Sequence, residues 1–248
     1  MSWFEYSGQT PDFVWFGPAH VAILVGLLII CIFITKARHS IRTNKRVDRS
    51  LRLGMVATLI MLEVIYQTWY VVNGEWGAHF ALPLHLSSIT WITAVIMLLT
   101  LHKRWFEVTF FAGVSSALLT MITPDIGNFG FPHFRFFHFF LTHGLVVVAA
   151  YYVLVVYRTQ LSIRSVMIVW GYLNAYAAVV FVVNLLIPNA NYMYLMTKPP
   201  SPTPFDWFGP WPYYIFVLQI VSLLLFLLMY AIYRGIQWLV IKSSTRLP

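Results

Sequence analysis

The sequence predicts an all-α polytopic membrane protein with seven transmembrane helices, and three observations carry that prediction. Of the 248 residues, 60% are hydrophobic and only 10% charged, against roughly 45–50% and about 25% in soluble domains. Mean hydropathy is +0.75. Seven stretches stay apolar over about 20 residues, the length a helix needs to cross a hydrocarbon core about 30 Å thick. None has the roughly ten-residue alternation of a β-barrel strand. A soluble enzyme, a disordered chain and a disulfide scaffold are excluded; the lone Cys31 lies in an apolar run and has no intrachain partner.

The elements follow in order. Met1 to Asp12 carry Glu5 and Asp12 but no Lys or Arg, so the positive start of a cleavable signal peptide is missing and the first apolar segment is expected to remain as a helix. That helix, about 17–36, opens at Trp15-Phe16-Gly17-Pro18, an interfacial Trp followed by a helix-starting Gly-Pro. A basic loop leads to helix 2 at about 53–73. Helix 3 covers about 79–101 and helix 4 about 104–123, with Lys103 and Arg104 between them. Helix 5 is expected at about 132–157 and helix 6 at about 164–187, separated by Arg158 and Arg164. A loop at about 188–211, rich in Pro, Asn and aromatics, has the composition of a lid over the outer mouth. Helix 7, about 212–240, is preceded by Trp207-Phe208-Gly209-Pro210, an echo of the start of helix 1. No linker or low-complexity segment divides residues 1–248, so one domain is expected.

Basic residues orient the bundle. Lys36, Arg38, Arg42, Lys45, Arg46, Arg49 and Arg52 follow helix 1, and Arg234, Lys242 and Arg246 end the chain, so that 14 of the 16 lie on alternate connections. The other connections hold only Arg135 and Lys198 beside five acidic residues. The positive-inside rule puts the N-terminus outside and the C-terminus in the cytoplasm, in keeping with an odd number of spans. The net charge of +8 is then a topology signal and not a nucleic-acid surface, and no P-loop or dinucleotide fingerprint is present.

Ionisable groups inside spans are expensive, and each is a functional candidate. Glu63 lies in helix 2, His85 in helix 3, and His138 and His143 in helix 5, with Gln67, Thr142, Asn174, Asn184 and Gln219 as uncharged companions. Glu107 lies near the cytoplasmic end of helix 4, and His20 opens helix 1. At 1.5 Å per residue, His85, Gln67, His138 and Gln219 fall roughly 9–10 Å below the outer ends of their helices, and Glu63 and His143 roughly 15–17 Å. Glu63 and Gln67 share a face, as do Arg135, His138 and Thr142. A convergent outer-leaflet pocket is the economical arrangement.

The stretches Leu82-Pro83-Leu84-His85-Leu86 and Phe131-Pro132-His133-Phe134-Arg135, continuing to Thr142-His143-Gly144, resemble the YwaF-like bacterial integral membrane proteins. Asn191-Tyr192-Met193-Tyr194-Leu195 and the segment from Asp206 to Pro212 carry the same resemblance, which spans almost the whole chain. Where that family has a Cys after Leu-His-Leu, this chain has Ser87. A more distant resemblance is to a eukaryotic multi-span phospholipid acyltransferase, which pairs an intramembrane Cys just before a His with a second His. Here Leu84 precedes His85, so the resemblance carries over only the two histidines, His85 and His143. This distant resemblance implies lipid acyl chemistry, and the YwaF-like one a bacterial plasma membrane.

Three functions follow from these residues. In a lipid acyltransferase or hydrolase, His143 or His85 is the base, Glu63 orients it, and Ser87, Ser88 or Thr142 is the nucleophile. Arg135 holds a phosphate headgroup, while His20, Gln67, His138, Asn184 and Gln219 line the substrate site. The alternative is a proton-linked transporter or sensor using Glu63 and the histidines as a relay. A further alternative is a metal-dependent hydrolase with His85, His138 and His143 as ligands. Spacings of five between His133, His138 and His143 do not share a helical face, so no metal or other cofactor is assigned. Membrane lipids and a lipid-like or small-molecule ligand are the expected partners, with no nucleic acid.

Overall fold

The computed structural model describes residues 3–6, 12–127, 129–199 and 204–244; Arg246 and the prolines Pro200 and Pro202 of the outer loop lie outside them. Every regular element among the described residues is helical: α1 (Pro18–Thr43), α2 (Lys45–Val72), α3 (Leu86–Thr100), α4 (Lys103–Ile122), α5 (Phe134–Tyr157), α6 (Ile163–Leu186) and α7 (Tyr213–Ser244). Six are long and apolar enough to cross a membrane, and α3 is a shorter apolar helix of 15 residues, about 22 Å long.

Two expected boundaries move. The basic loop between helices 1 and 2 is almost entirely helical. α1 runs to Thr43, α2 starts at Lys45, and Asn44 alone connects them, its side chain accepting hydrogen bonds from the Arg46 and Val47 backbone N–H groups. Lys and Arg are good helix formers whose charged ends extend to the headgroups, so a cationic run lengthens a helix that a hydropathy window ends. The second shift is at α3, which begins at Leu86 and not near residue 79. Pro83 has no N–H and restricts Leu82 before it, so the chain reaches His85 through turns, and His85 becomes the N-cap residue of α3.

α5 is the core of the bundle: 67% of its apolar window is buried, against 6% for α7. It packs on α1, α2, α3 and α4, while α6 and α7 pair with each other and dock on α4. The inward face of α5 is small or β-branched, with Val146, Ala149, Ala150 and Val153 all buried. α4 carries a π-helical stretch, Thr109–Val114. A Cβ on its Gly113 would sit 3.2 Å from the Val146 side chain and 3.3 Å from that of Thr90, so glycine sets the approach of α4 to α5 and α3. Packing of small residues drives helix association where lipid is as apolar as the interface.

At the basic end, arginines that read as topology signals also close the bundle. Arg42 donates to the carbonyls of Val155 and Val156 at the end of α5, and Arg52 to that of Leu98 near the end of α3. These carbonyls are at helix C-termini, where acceptors lack intrahelical partners and the dipole favours cations. Asp48 on α2 accepts hydrogen bonds from the Tyr152 and Tyr157 hydroxyls, each at 2.6 Å, and from Arg52 at 3.2 Å. Asp48→Ala leaves the buried Tyr152 hydroxyl unpaired and is expected to lower the unfolding free energy by about 3 kcal/mol. Thermal unfolding in detergent measures this, and a variant that melts with the wild type refutes the linkage of α2 to α5 through Asp48.

Candidate functional site

The polar groups of α2 and α5 meet through a stack of rings. Tyr66 lies flat on His138, with ring centroids 4.1 Å apart and planes at 13°. The Arg135 guanidinium covers the same Tyr66 ring at 4.7 Å and faces the Phe139 ring at 5.4 Å, a cation–π arrangement that holds a charge between two helices. One turn along α2, Glu63 accepts a hydrogen bond from Gln67 Nε2 at 2.7 Å and is within electrostatic reach of Arg135. Glu63 thus meets Gln67 and the Arg135 charge, and not a histidine ring. Gln67 also donates to the Ala81 carbonyl at 2.8 Å and accepts from the Trp76 indole at 2.9 Å.

Partners dictate which nitrogen of each neutral histidine carries the proton, because a carbonyl only accepts and a guanidinium or amide N–H only donates. His138 Nδ1 accepts from Arg135 across 3.4 Å, so Nε2 carries the proton and donates to the Thr142 hydroxyl across 3.5 Å. Thr142 is therefore an acceptor from His138, the reverse of a nucleophile giving its proton to a base. His143 is the opposite case. Its Nδ1–H donates to the Phe139 carbonyl at 2.5 Å, so the lone pair is on Nε2. That nitrogen has no hydrogen-bond partner, and it is not a sealed atom: the one buried side-chain polar atom without a partner among the described residues is Trp91 Nε1. His143 Nε2 is a proton acceptor without a hydrogen-bond partner among the described residues.

The remaining candidates divide by position. His20 is buried, its Nδ1 accepting from the Phe16 N–H and its Nε2–H donating to the Met121 carbonyl at 2.8 Å. It ties the start of α1 to the end of α4, apart from Arg135 and His138. His85 Nδ1 accepts from the Met193 N–H at 3.2 Å, which leaves Nε2–H as a donor without a partner. Ser87 stands in the first turn of α3, and its hydroxyl makes no hydrogen bond. Asn184 on α6 pairs with the Tyr192 backbone in both directions at 2.9 Å. The Gln219 side chain on α7 is half-buried, and its backbone carbonyl accepts from the Trp170 indole.

The structure therefore brings Glu63, Gln67, Arg135, His138, Thr142 and His143 together on α2 and α5. His85 and Asn184 form a second group with the outer loop, and Ser87 lies in the turn of α3 that follows His85. Gln67, through Ala81, connects the first group to the segment before His85. Tyr66 was missed by sequence reasoning: it lies three residues after Glu63 and shares its helical face, but an aromatic in an apolar helix gives no polar signal. Tyr176 on α6 was missed for the same reason, and Tyr192, quoted only as part of the loop motif, gave no sign of its hydrogen bonds to the turns before α3. Among the described residues no group of three or more His, Cys, Asp or Glu side chains is placed to hold a metal ion.

Long apolar helices around a polar cluster define a multi-pass integral membrane protein. The sequence profile of the TMEM164 family matches residues 15–230, and the chain belongs to that family. No curated protein and no solved structure gives a significant match to it.

The Asn184–Tyr192 pair gives the outer loop a test. Losing both hydrogen bonds in Asn184→Leu is expected to speed chymotrypsin cleavage after Tyr192 and Tyr194 by about tenfold, the factor that corresponds to roughly 1.4 kcal/mol of local opening. Cleavage at the wild-type rate refutes the role of Asn184 as the anchor.

Proposed function

We propose that the protein catalyses acyl transfer or hydrolysis on a membrane lipid ester at the α2–α5 cluster, within the outer leaflet of a bacterial plasma membrane. The observation that carries this reading is the unpartnered Nε2 lone pair of His143, whose ring packs on Phe139, the ring that the Arg135 guanidinium also faces. The distant resemblance to a multi-span phospholipid acyltransferase, carried by His85 and His143, supports the same chemistry. In this reading the chain crosses the membrane seven times with its N-terminus outside, as the distribution of basic residues favours.

Arg135 holds the phosphate of the lipid headgroup, with Glu63 balancing its charge. An attacking hydroxyl, from water or an acceptor lipid, gives its proton to His143 Nε2 as its oxygen bonds to the ester carbonyl carbon. The tetrahedral adduct then collapses: the ester C–O bond breaks and the leaving alkoxide takes the proton back from His143. The Phe139 carbonyl holds the imidazolium through Nδ1–H in both steps. His138 and Thr142 position Arg135 and Tyr66.

Two experiments test this. Protein reconstituted into liposomes of phosphatidylethanolamine and phosphatidylglycerol with a radiolabelled acyl chain is expected to move the label to another lipid or release it as fatty acid. His143→Ala should lower that rate by at least about 10²-fold with unchanged thermal unfolding, since the His143 hydrogen bond stays within one turn of α5. An equal rate in the variant overturns the assignment of the base. For orientation, Trp207→Cys in a Cys31→Ser background is expected to react with a membrane-impermeant maleimide on intact cells, whereas His39→Cys should not; the opposite labelling inverts the topology.

A further inference from the structure

The basic end of the bundle contains a cavity that the outer cluster does not use. It has a volume of about 340 Å³ and lies between the first turns of α4 and α6, lined by His102, Lys103, Arg104, Glu107, Arg164 and Ser165, among others. Its size is near the lower limit of ligand sites, roughly 300–1,000 Å³, which suits a compact polar group and not an acyl chain. Glu107, its one acidic residue, is 3% exposed in its side chain and fully engaged. It accepts from the Ser165 hydroxyl at 2.6 Å and from Arg104 at 2.5 Å, and so fastens α4 to α6 and forms the floor.

The other charged groups are donors with little to donate to. Arg164 makes no ion pair among the described residues, and Lys103 has only the Glu107 oxygen, 3.8 Å away. His102 Nδ1 accepts from the Arg104 N–H, so the proton of its neutral ring is on Nε2. Three cations against one carboxylate leave a surplus of two positive charges around a small concave space. All three cations are in the first turns of their helices, where the helix dipole disfavours positive charge. A topology signal needs such charges near the membrane surface but does not need them gathered around a cavity.

We propose that this cavity binds a phosphate group, held by the Arg164 fork and Lys103 over the Glu107–Arg104–Ser165 floor. A guanidinium offers paired donors matched to phosphate oxygens, and an ammonium adds a point charge. The headgroup of an anionic lipid in the facing leaflet and a soluble phosphate present the same chemistry, and the site is independent of the outer cluster.

The test uses the full chain in an uncharged detergent, titrated with dihexanoyl phosphatidic acid, inorganic phosphate and dihexanoyl phosphatidylcholine. Wild-type protein is expected to bind the phosphatidic acid saturably, one per chain. Lys103→Gln combined with Arg164→Gln, which spares the Glu107 floor, should weaken binding at least about tenfold. Lys45→Gln with Arg46→Gln, an equal loss of charge at the start of α2, should change it by less than about twofold. Competition by inorganic phosphate at similar occupancy identifies a soluble phosphate as the source, and binding of phosphatidic acid alone identifies a lipid headgroup. The proposal is overturned if the wild type binds neither phosphatidic acid nor phosphate saturably, or if the two double variants weaken binding equally.

Discussion

A backbone amide buried among apolar helices has no water to bond, and this constraint organises the end of the bundle that carries the loop between α6 and α7. The turns between Ala78 and His85 leave carbonyls and N–H groups that no helix satisfies, and side chains from three directions take them up. Gln67 of α2 donates to the Ala81 carbonyl and Tyr176 of α6 to that of Leu84. Tyr192 donates to the Ala78 carbonyl at 2.6 Å and accepts from the Leu82 N–H at 3.0 Å. Tyr192 reaches that position because Asn184 holds its backbone. The loop between α6 and α7 is thus fastened over the turns that precede α3, and its continuation is held by Trp211 on the Leu195 carbonyl and Tyr214 on the Tyr194 carbonyl.

The same constraint explains why polar residues here serve two purposes. Gln67 satisfies the broken segment with one amide proton and holds Glu63 with another, so the carboxylate is positioned by a group already immobilised. His85, set at the N-cap by Pro83, accepts from the loop and keeps a free N–H. At the opposite end, Arg42 and Arg52 cap helix carbonyls with the same charges that the sequence offers as a topology signal. A membrane protein with only 10% charged residues spends few of them on a single task.

The histidines show how far local bonding separates chemically identical side chains. His20 has both nitrogens committed and acts as a rivet between α1 and α4. His138 is held between Arg135 and Thr142 with its proton pointing away from any base role. His143, five residues on, differs only in that its Nδ1–H finds the Phe139 carbonyl one turn back, and this leaves its lone pair open. Which atoms stay unpaired follows from this local bonding, and not from depth or spacing.

Much of this was legible in the sequence. Hydropathy and length determined the membrane class, the helical class and six of the seven apolar helices to within a few residues, except where Lys and Arg extend α1 and α2. The i,i+4 pairs Glu63/Gln67 and His138/Thr142 were readable because helical periodicity is local. Three things were decided only by tertiary structure. The start of α3 depends on partners from α2, α6 and the loop after α6 that satisfy the backbone of the turns before it. The division of the polar residues into two groups depends on which helices touch. The open nitrogen of His143 depends on what its neighbours leave unbonded. Periodicity is a property of consecutive residues, whereas satisfaction of a buried polar group depends on atoms that are distant in the chain.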